Sequence, residues 1–282
     1  MLPNELSRPA LSSAVEYSID LVRARIQDLS VVALTGAGIS TDSGIPDYRG
    51  EGKVTRHPMV FDQFVGSTSA QRRYWSRSFV GWSRIAQAKP NQGHVALASA
   101  EHSGKALGVI TQNVDGLHQV AGSRRVVDLH GRLDRVICLS CKNTISRHEL
   151  DLQLTRLNPS VSKSSDFEFT PDGDAEVPDS ESFKFPGCSF CGGVLKPDVV
   201  FFGETVPVET VEQSMALVDS AEALLVAGTS LAVNSGLRFV KHAYKQGKPI
   251  VIVNIGPTKG DEFASAKIEG NTSLVLERLL NG

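Results

Sequence analysis

The chain has 282 residues, enough for one large α/β domain with a smaller appendage and a sizeable buried core. Its 29 lysines and arginines stand against 31 aspartates and glutamates, so no overall basic field exists and nonspecific nucleic-acid binding is excluded as the main task. No apolar run approaches the roughly 18 residues needed to cross a bilayer.

The first residues, MLPNELSRPALSSAVEYS, lack a hydrophobic signal core, and Glu5 and Glu16 with only Arg8 between them make a poor mitochondrial presequence. The expectation is a cytoplasmic protein, or one already trimmed. Val15, Ile19, Val22 and Ile26 recur at helical spacing and predict an amphipathic helix leading into the first strand. That strand is Val31–Thr35, an apolar, β-branched run suited to a buried parallel position.

Gly36-Ala37-Gly38 follows at once. Two glycines at such a turn allow positive φ and let a phosphate approach bare backbone, while the N–H groups of the next helical turn point at the anion. Taken alone, the tripeptide fits an ordinary strand-to-helix turn equally well. Thr41 stands where the usual dinucleotide fingerprint has its third glycine, and no acidic residue closes a second strand about twenty residues on. The chain continues instead through Gly44-Ile45-Pro46-Asp47-Tyr48-Arg49-Gly50, where Pro46 forbids an ordinary helix. Asp47 and Arg49 are thereby expected on a loop beside the phosphates. The segment ending at His57-Pro58 reads either as a surface loop or as a cover that orders over a ligand.

In RRYWSRSFVGW, Tyr74, Trp75, Phe79 and Trp82 step by three or four and predict helical core, with an apolar substrate tunnel as the alternative. Pro90-Asn91-Gln92-Gly93-His94 starts another helix, and His94 reads as structural. Leu107–Thr111 is a second strand running into Gln112-Asn113-Val114-Asp115-Gly116. Amide and carboxylate groups at a strand's carboxyl end sit where open α/β sheets bind ligands, and burying them costs free energy unless they bind something. Val126–Leu129 is a third strand ending in His130-Gly131. A histidine there suits a general base, since its free pKa lies near working pH.

Cys138-Leu139-Ser140-Cys141 and Cys188-Ser189-Phe190-Cys191 are two C-x-x-C hooks with zinc-ribbon spacing. Four thiolates leave no position open for water, so the metal is expected to be structural. Disulfides are the competing reading, disfavoured in a reducing compartment. The 46 residues between the hooks exceed the usual gap, and the polar stretch Leu150–Pro186 reads as an inserted loop with partial order. Its Asp172-Gly173-Asp174 is a fragment of a calcium loop without the remaining ligands. Leu195–Glu204 returns to an extended apolar segment whose edge suits strand addition by a peptide. Ala223–Ala227, capped by Gly228-Thr229-Ser230, and Ile250–Val253, ending at Asn254-Ile255-Gly256, are further buried strands with small polar ends suited to ribose and adenine. Asn271–Leu280 is expected to be a helix, with Leu274 and Leu276 to Leu280 facing inward.

The sum is an α/β chain with a Rossmann-like parallel sheet domain and a smaller zinc-ribbon module. The expected division is 1–49, 105–135 and 194–282 for the Rossmann-like nucleotide-binding domain, 50–104 for the helical part of the small domain with the loop that follows the glycine turn, and 136–193 for the zinc module, with its inserted loop at 150–186.

Taken together, GAGIS, GIPDYR, TQNVD, LHG, the two cysteine hooks, KPDVVFFGE, GTS and VNIG resemble the sirtuins, which are NAD-dependent protein lysine deacylases. The resemblance runs from about residue 13 to residue 280. Within the family, RRYWSRSFVGW, the insertion with PDGD and KPDVVFFGE look most like the class II branch, which holds the mitochondrial sirtuin four and its bacterial relatives. By this resemblance Gly36, Ala37 and Gly38 would cradle the NAD phosphates, with Ser40 in the same motif, and Asp47, Tyr48 and Arg49 would belong to the cofactor loop. Gln112, Asn113 and Asp115 would surround the nicotinamide ribose and carboxamide, with Ile45 nearby. Gly228, Thr229, Ser230, Asn254 and Ile255 would bind the adenosine half, and Thr272 would add a contact.

The resemblance also implies the chemistry. The acyl-lysine carbonyl oxygen would attack the ribose C1′ as nicotinamide leaves, giving an imidate. His130 would take a proton from the ribose hydroxyls, Asn113 would orient ribose and water, and water would release lysine and O-acyl-ADP-ribose. Val200 and Gly203 would pair with the substrate peptide, Phe202 would line the lysine tunnel, and one structural zinc ion would sit on Cys138, Cys141, Cys188 and Cys191. Partners would be acyl-lysine proteins or peptides, with neither nucleic acid nor membrane involved. The setting would be cytoplasmic, or the mitochondrial matrix for a processed eukaryotic form. Family members preferring acidic acyl groups pair a tyrosine with an arginine after the GIPDYR-type loop; here Lys53, Arg56 and His57 follow without a tyrosine beyond Tyr48. The competing functional readings are protein mono-ADP-ribosyltransfer and, below it, a nonenzymatic NAD-sensing adaptor.

Overall fold

Every strand of the larger sheet is short and parallel to its neighbours, its central strands are apolar throughout, and that pattern dictates the layers around it. The computed structural model describes residues 11–48, 59–162 and 181–281. In chain order its elements are α1 (Ser13–Ile26), β1 (Val31–Thr35), two single 3₁₀ turns (Ala37–Ile39 and Thr41–Ser43), α2 (Phe61–Gly66), α3 (Thr68–Gln87), α4 (Gln92–His102), β2 (Ala106–Thr111), α5 (Leu117–Val120), β3 (Val126–Asp128), β4 (Gly131–Cys138), β5 (Thr144–Ser146) and α6 (Arg147–Leu157). Beyond residue 180 come β6 (Leu195–Val199), α7 (Val208–Ser220), β7 (Ala223–Ala227), α8 (Asn234–Lys245), β8 (Ile250–Val253), a 3₁₀ turn (Asp261–Phe263), β9 (Ala266–Ile268) and α9 (Thr272–Asn281).

Six strands form the larger sheet in the order β3-β2-β1-β7-β8-β9, all parallel. β1, β7 and β8 are buried along their whole length. Strands covered on both faces read as continuous Val/Ile/Leu/Ala runs, which is why they were visible without alternation. One face packs under α1, α4 and α9 through residues such as Ile19, Val22, Leu97, Val275 and Leu276; the other packs under α7 and α8 through Leu217, Leu237, Phe239 and Val240. The chain begins at β1, steps outward to β2 and β3, and returns on the other side at β7. The strand order therefore reverses between β1 and β7, the place where doubly wound sheets open a crevice at their carboxyl ends.

The smaller sheet is antiparallel, β5-β4-β6. Its core is aromatic: Phe64, Tyr74, Trp75, Phe79, Phe183 and Phe201 gather with Cys138 and Cys188. Phe64 meets Tyr74 edge-on at 5.4 Å and Phe201 at 5.3 Å, the arrangement favoured by the ring quadrupoles. Arg147, fully buried, places its guanidinium 5.1 Å from the Trp82 ring and 5.7 Å from Trp75, pairs with Asp151 at 3.4 Å and donates to the Ser78 carbonyl. A buried guanidinium is tolerated only with such a full set of partners.

Several expectations change in detail. The polar stretch from Leu150 is helical as far as Leu157, because Leu150 and Leu154 face the aromatic core four residues apart. α4 itself packs Ala96, Leu97 and Ala100 against the larger sheet. In α9 the inward positions are Val275, Leu276, Leu279 and Leu280, while Leu274 lies a third of a turn away and is half-buried. Arg49, Lys53, Arg56, His57 and Asp172-Gly173-Asp174 lie outside the described residues.

Candidate active site

The carboxyl ends of β1 and β7 meet backbone to backbone. A Cβ on Gly36 would stand 2.6 Å from the Thr229 Cβ, one on Gly38 would stand 2.9 Å from the Gly228 Cα, and one on Gly228 would stand 2.3 Å from the Ile39 nitrogen. The Gly38 N–H donates to the Gly228 carbonyl at 2.8 Å. These distances explain the glycines better than the expected dihedral freedom does. Gly36 is extended, at φ −142° and ψ −170°, and neither Gly36 nor Gly38 has positive φ; Gly228 does, at +63°. A second difference is that no long helix follows β1. Two single 3₁₀ turns replace it, so the helix dipole contributes little, and Gly36, Gly38, Ile39 and Ser40 spend their N–H groups internally. Among the described residues the Ala37 N–H has no acceptor, which leaves a backbone donor within this turn for an anion.

Next to this clasp, the end of β2 supplies the polar groups. Gln112 donates from Nε2 to Thr229 Oγ1 at 2.9 Å and to the Thr35 carbonyl at 3.3 Å. Asn113, buried, donates from Nδ2 to the Gly36 carbonyl at 3.2 Å and to Ser40 Oγ at 3.0 Å. Ser40 in turn donates to Asp115 Oδ2 at 2.7 Å. Burial pushes the Asp115 carboxyl above its ordinary range, against the pull of the Leu117 N–H, Ser40 and Arg132. Ser40, Gln112, Asn113 and Asp115 thus form one bonded cluster with Gly36, Gly38, Gly228 and Thr229.

His130 joins the same cluster. Its Nδ1 lies 3.0 Å from the Gln112 carbonyl oxygen. A carbonyl only accepts, so Nδ1 carries the proton and Nε2 presents its lone pair. Burial lowers the His130 pKa, partly offset by that carbonyl, and favours the neutral ring. Gly131 has φ +77°, and a Cβ there would lie 2.1 Å from the Asp198 carbonyl oxygen. Glycine is therefore forced at position 131, where the β6 backbone crosses the chain directly after His130.

That crossing ties the base to the expected peptide-binding segment. The Val200 N–H donates to the His130 carbonyl at 2.8 Å, and the Phe61 N–H donates to the Phe202 carbonyl at 2.9 Å. Among the described residues the Val200 carbonyl and the Gly203 N–H remain unpaired. Phe201 points into the aromatic core, whereas Phe202 is 46% exposed, so the two neighbouring rings face opposite ways. Lys196, buried, pairs with Glu204 at 2.9 Å, and Glu204 accepts from the Phe201 N–H at 2.7 Å, fixing the turn.

Two buried histidines lie against the cluster. His94 caps its helix reciprocally with Asn91, and its Nε2 is 3.5 Å from Ser40 Oγ. Burial lowers its pKa to about 4. His118 sits 4.8 Å away, ring to ring, with Nε2 at 2.9 Å from Thr35 Oγ1 and, among the described residues, no partner for Nδ1. His94 was expected to be structural; His118 carried no spacing signal at all, since only the fold brings α5 beneath β1.

Other expected contacts spread more widely. Ile45 is buried with Ile85, Leu117 and Leu133. Asp47 is half-buried and Tyr48 exposed. Asn254, at the end of β8, turns its amide onto the Ile255 and Gly256 carbonyls, and Ile255 is 69% exposed. Ser230 is half-buried beside Thr229, and Thr272 is buried at the start of α9.

The four cysteines are not disulfide-bonded, and their Sγ atoms all lie within 4.8 Å of one another, Cys138 to Cys191 at 3.5 Å and Cys141 to Cys188 at 3.7 Å. Zinc–sulfur bonds of about 2.3 Å in a tetrahedron put sulfurs about 3.8 Å apart, so the set fits a closed structural zinc site.

Comparison with known proteins agrees with this architecture. The model of the Sir2 family matches residues 36–235. The chain is 52% identical over 242 residues to an NAD-dependent protein deacetylase 1 of Streptomyces coelicolor, covering 84% of this chain and 81% of that one. It is 49% identical over 253 residues to an NAD-dependent protein deacetylase 1 of Mycobacterium avium, covering 88% and 90%. An NAD-dependent protein deacylase SIR4 of Batrachochytrium dendrobatidis is 46% identical over 268 residues, covering 88% of each. Among solved structures, a Sir2 protein with a p53 peptide and NAD+ superposes with a TM-score of 0.75 at 31% identity, covering 93% of this chain and 97% of that one. Sir2Tm bound to a propionylated peptide gives 0.73 at 29% identity, with the same coverage. The chain belongs to the Sir2 family.

Proposed function

We propose that this chain is an NAD-dependent protein lysine deacylase that moves an acyl group from a lysine side chain to ADP-ribose. The observation that carries the reading is the single bonded cluster at the β1/β7 switch point, which joins the glycine clasp, the Gln112-Asn113-Asp115 carboxyl end and His130 to the Val200–Gly203 segment. The relatives' names, NAD-dependent protein deacetylase or deacylase, support the same activity.

Bound NAD supplies ADP-ribose as the acyl acceptor, with nicotinamide as its leaving group. Gly36, Ala37 and Gly38 give the phosphates access to bare backbone, and the Ala37 N–H is the donor left for them. Gln112, Asn113, Asp115 and Ser40, with Ile45 alongside, orient the nicotinamide ribose; such positioning is where much of the rate of a two-substrate reaction arises. Asp47, Tyr48 and Arg49 belong to the cofactor loop, while Gly228, Thr229, Ser230, Asn254, Ile255 and Thr272 serve the adenosine half. His130 is the general base, taking a ribose proton at Nε2. The Val200 carbonyl accepts from, and the Gly203 N–H donates to, an incoming strand, and Phe202 flanks the acyl-lysine. The cysteine set holds zinc and fixes the small sheet. The domain division, the class II affinity, a cytoplasmic setting and a protein rather than nucleic-acid partner belong to this same proposal.

NAD labelled in its ADP-ribose half tests the reading. Incubated with acyl-lysine protein, the label is expected on a small acylated molecule and to stay on NAD with His130→Tyr. Label fixed to protein instead would replace deacylation by mono-ADP-ribosyltransfer.

A further inference from the structure

His130 makes a second contact that none of the recognised motifs covers. Its Nε2, the lone-pair end, lies 2.9 Å from Ser235 Oγ, the second residue of α8. With Nδ1 committed as donor to the Gln112 carbonyl, the Ser235 hydroxyl must donate to Nε2. The next residue shows how closely α8 is pressed here: a Cβ on Gly236 would stand 2.8 Å from Gln112 Oε1. Ser235, His130 and Gln112 thus close a small ring of contacts, with the imidazole held at both ends.

We infer that Ser235 is a positioning residue for the general base. A histidine ring turns about a broad, two-fold terminal torsion, and one bond to a carbonyl leaves the plane free to swing. A second bond at the opposite nitrogen fixes the plane and holds Nε2 toward the strand ends where the ribose hydroxyls are expected. Ser235 is half-buried and supplies one proton and two lone pairs. Nε2 accepts one bond at a time, so the Ser235 hydroxyl sets the ring plane in the free enzyme and moves off the lone pair when a ribose hydroxyl takes its place there. The neutral state of His130, favoured by burial, keeps that lone pair available.

The inference rests on the deacylase reading, and its test separates the two. In Ser235→Ala, nicotinamide exchange in the presence of acyl-peptide, which precedes the base's work, is expected to stay within about twofold of wild type. The kcat for acyl transfer is expected to fall about tenfold, or ~1.4 kcal/mol, with the KM for NAD unchanged. Ser235→Thr, which keeps the hydroxyl, is expected to recover most of the loss. Independently of turnover, the imidazole ¹⁵N signal of His130 Nε2 is expected to move toward the value of an unbonded nitrogen in Ser235→Ala. Unchanged kcat with an unmoved ¹⁵N signal would overturn the assignment, and so would an equal fall in exchange and acyl transfer, or failure of Ser235→Thr to recover. A wild-type protein that shows the ¹⁵N response yet turns over no acyl-peptide would overturn the deacylase reading and leave the Ser235–His130 bond standing.

Discussion

His94 and His118 are buried side by side beneath Ser40, and their charge state is set by that burial. Two cations 4.8 Å apart in an apolar setting would repel strongly, so the neutral pair is the folded form. The folded pKa of His94, about 4, lies below its ordinary 6.5. On acidification the unfolded chain therefore binds the proton first. The contribution is intact above pH 6.5 and is lost as pH falls from 6.5 toward 4, amounting to on the order of 3 kcal/mol. His118 acts in the same direction, while Asp115, whose folded pKa is raised, acts in the opposite one. Urea midpoints at pH 7.5 and 4.5 should fall less in His94→Gln than in wild type, since glutamine keeps the reciprocal helix cap and removes the titrating ring. An equal fall in both would show that His94 already titrates normally in the folded chain.

Among the elements, the small sheet depends most on something outside its own apolar core. β4 enters the cysteine set at Cys138, and Cys138 and Cys188 are buried within the aromatic core. Structural zinc contributes on the order of 10 kcal/mol to folding of small modules. Chelation should therefore release amide protection in β4, β5 and β6 while β1, β7 and β8 keep theirs, as read by hydrogen exchange with and without a zinc chelator. Unchanged protection in β4 would show that the aromatic core alone holds the module. The hooks and buried strands were legible from residue type because four thiols and continuous Val/Ile runs have few alternative uses. β5 and β9 were not, since Thr-Ile-Ser and Ala-Lys-Ile are neither continuous apolar runs nor long enough to show a period. α6 is hidden because only Leu150 and Leu154 of its polar sequence face inward, and the 3₁₀ turns after β1 depart from the expected strand-to-helix turn because glycines needed for close approach look like glycines needed for positive φ.

Across the whole molecule, the order β3-β2-β1-β7-β8-β9 brings residues from five separate stretches to one crevice beside the antiparallel sheet. Sequence pattern supplied the strand ends and the motifs, and so most of the candidate site residues. It could not supply which of them touch: the bond from Gln112 to Thr229, the passage of Val200 behind His130, and Ser235 against the imidazole all join residues far apart in the chain. Those contacts are the physical basis for treating the cluster as one catalytic unit acting on an acyl-lysine. The most direct measurement is mass spectrometry of a panel of lysine peptides carrying acetyl, longer aliphatic, lipoyl and acidic acyl groups, each with and without NAD. The account predicts NAD-dependent acyl loss from at least one peptide, with O-acyl-ADP-ribose formed in equal amount and both abolished in His130→Tyr; measurable NAD binding with no acyl loss from any peptide would contradict it.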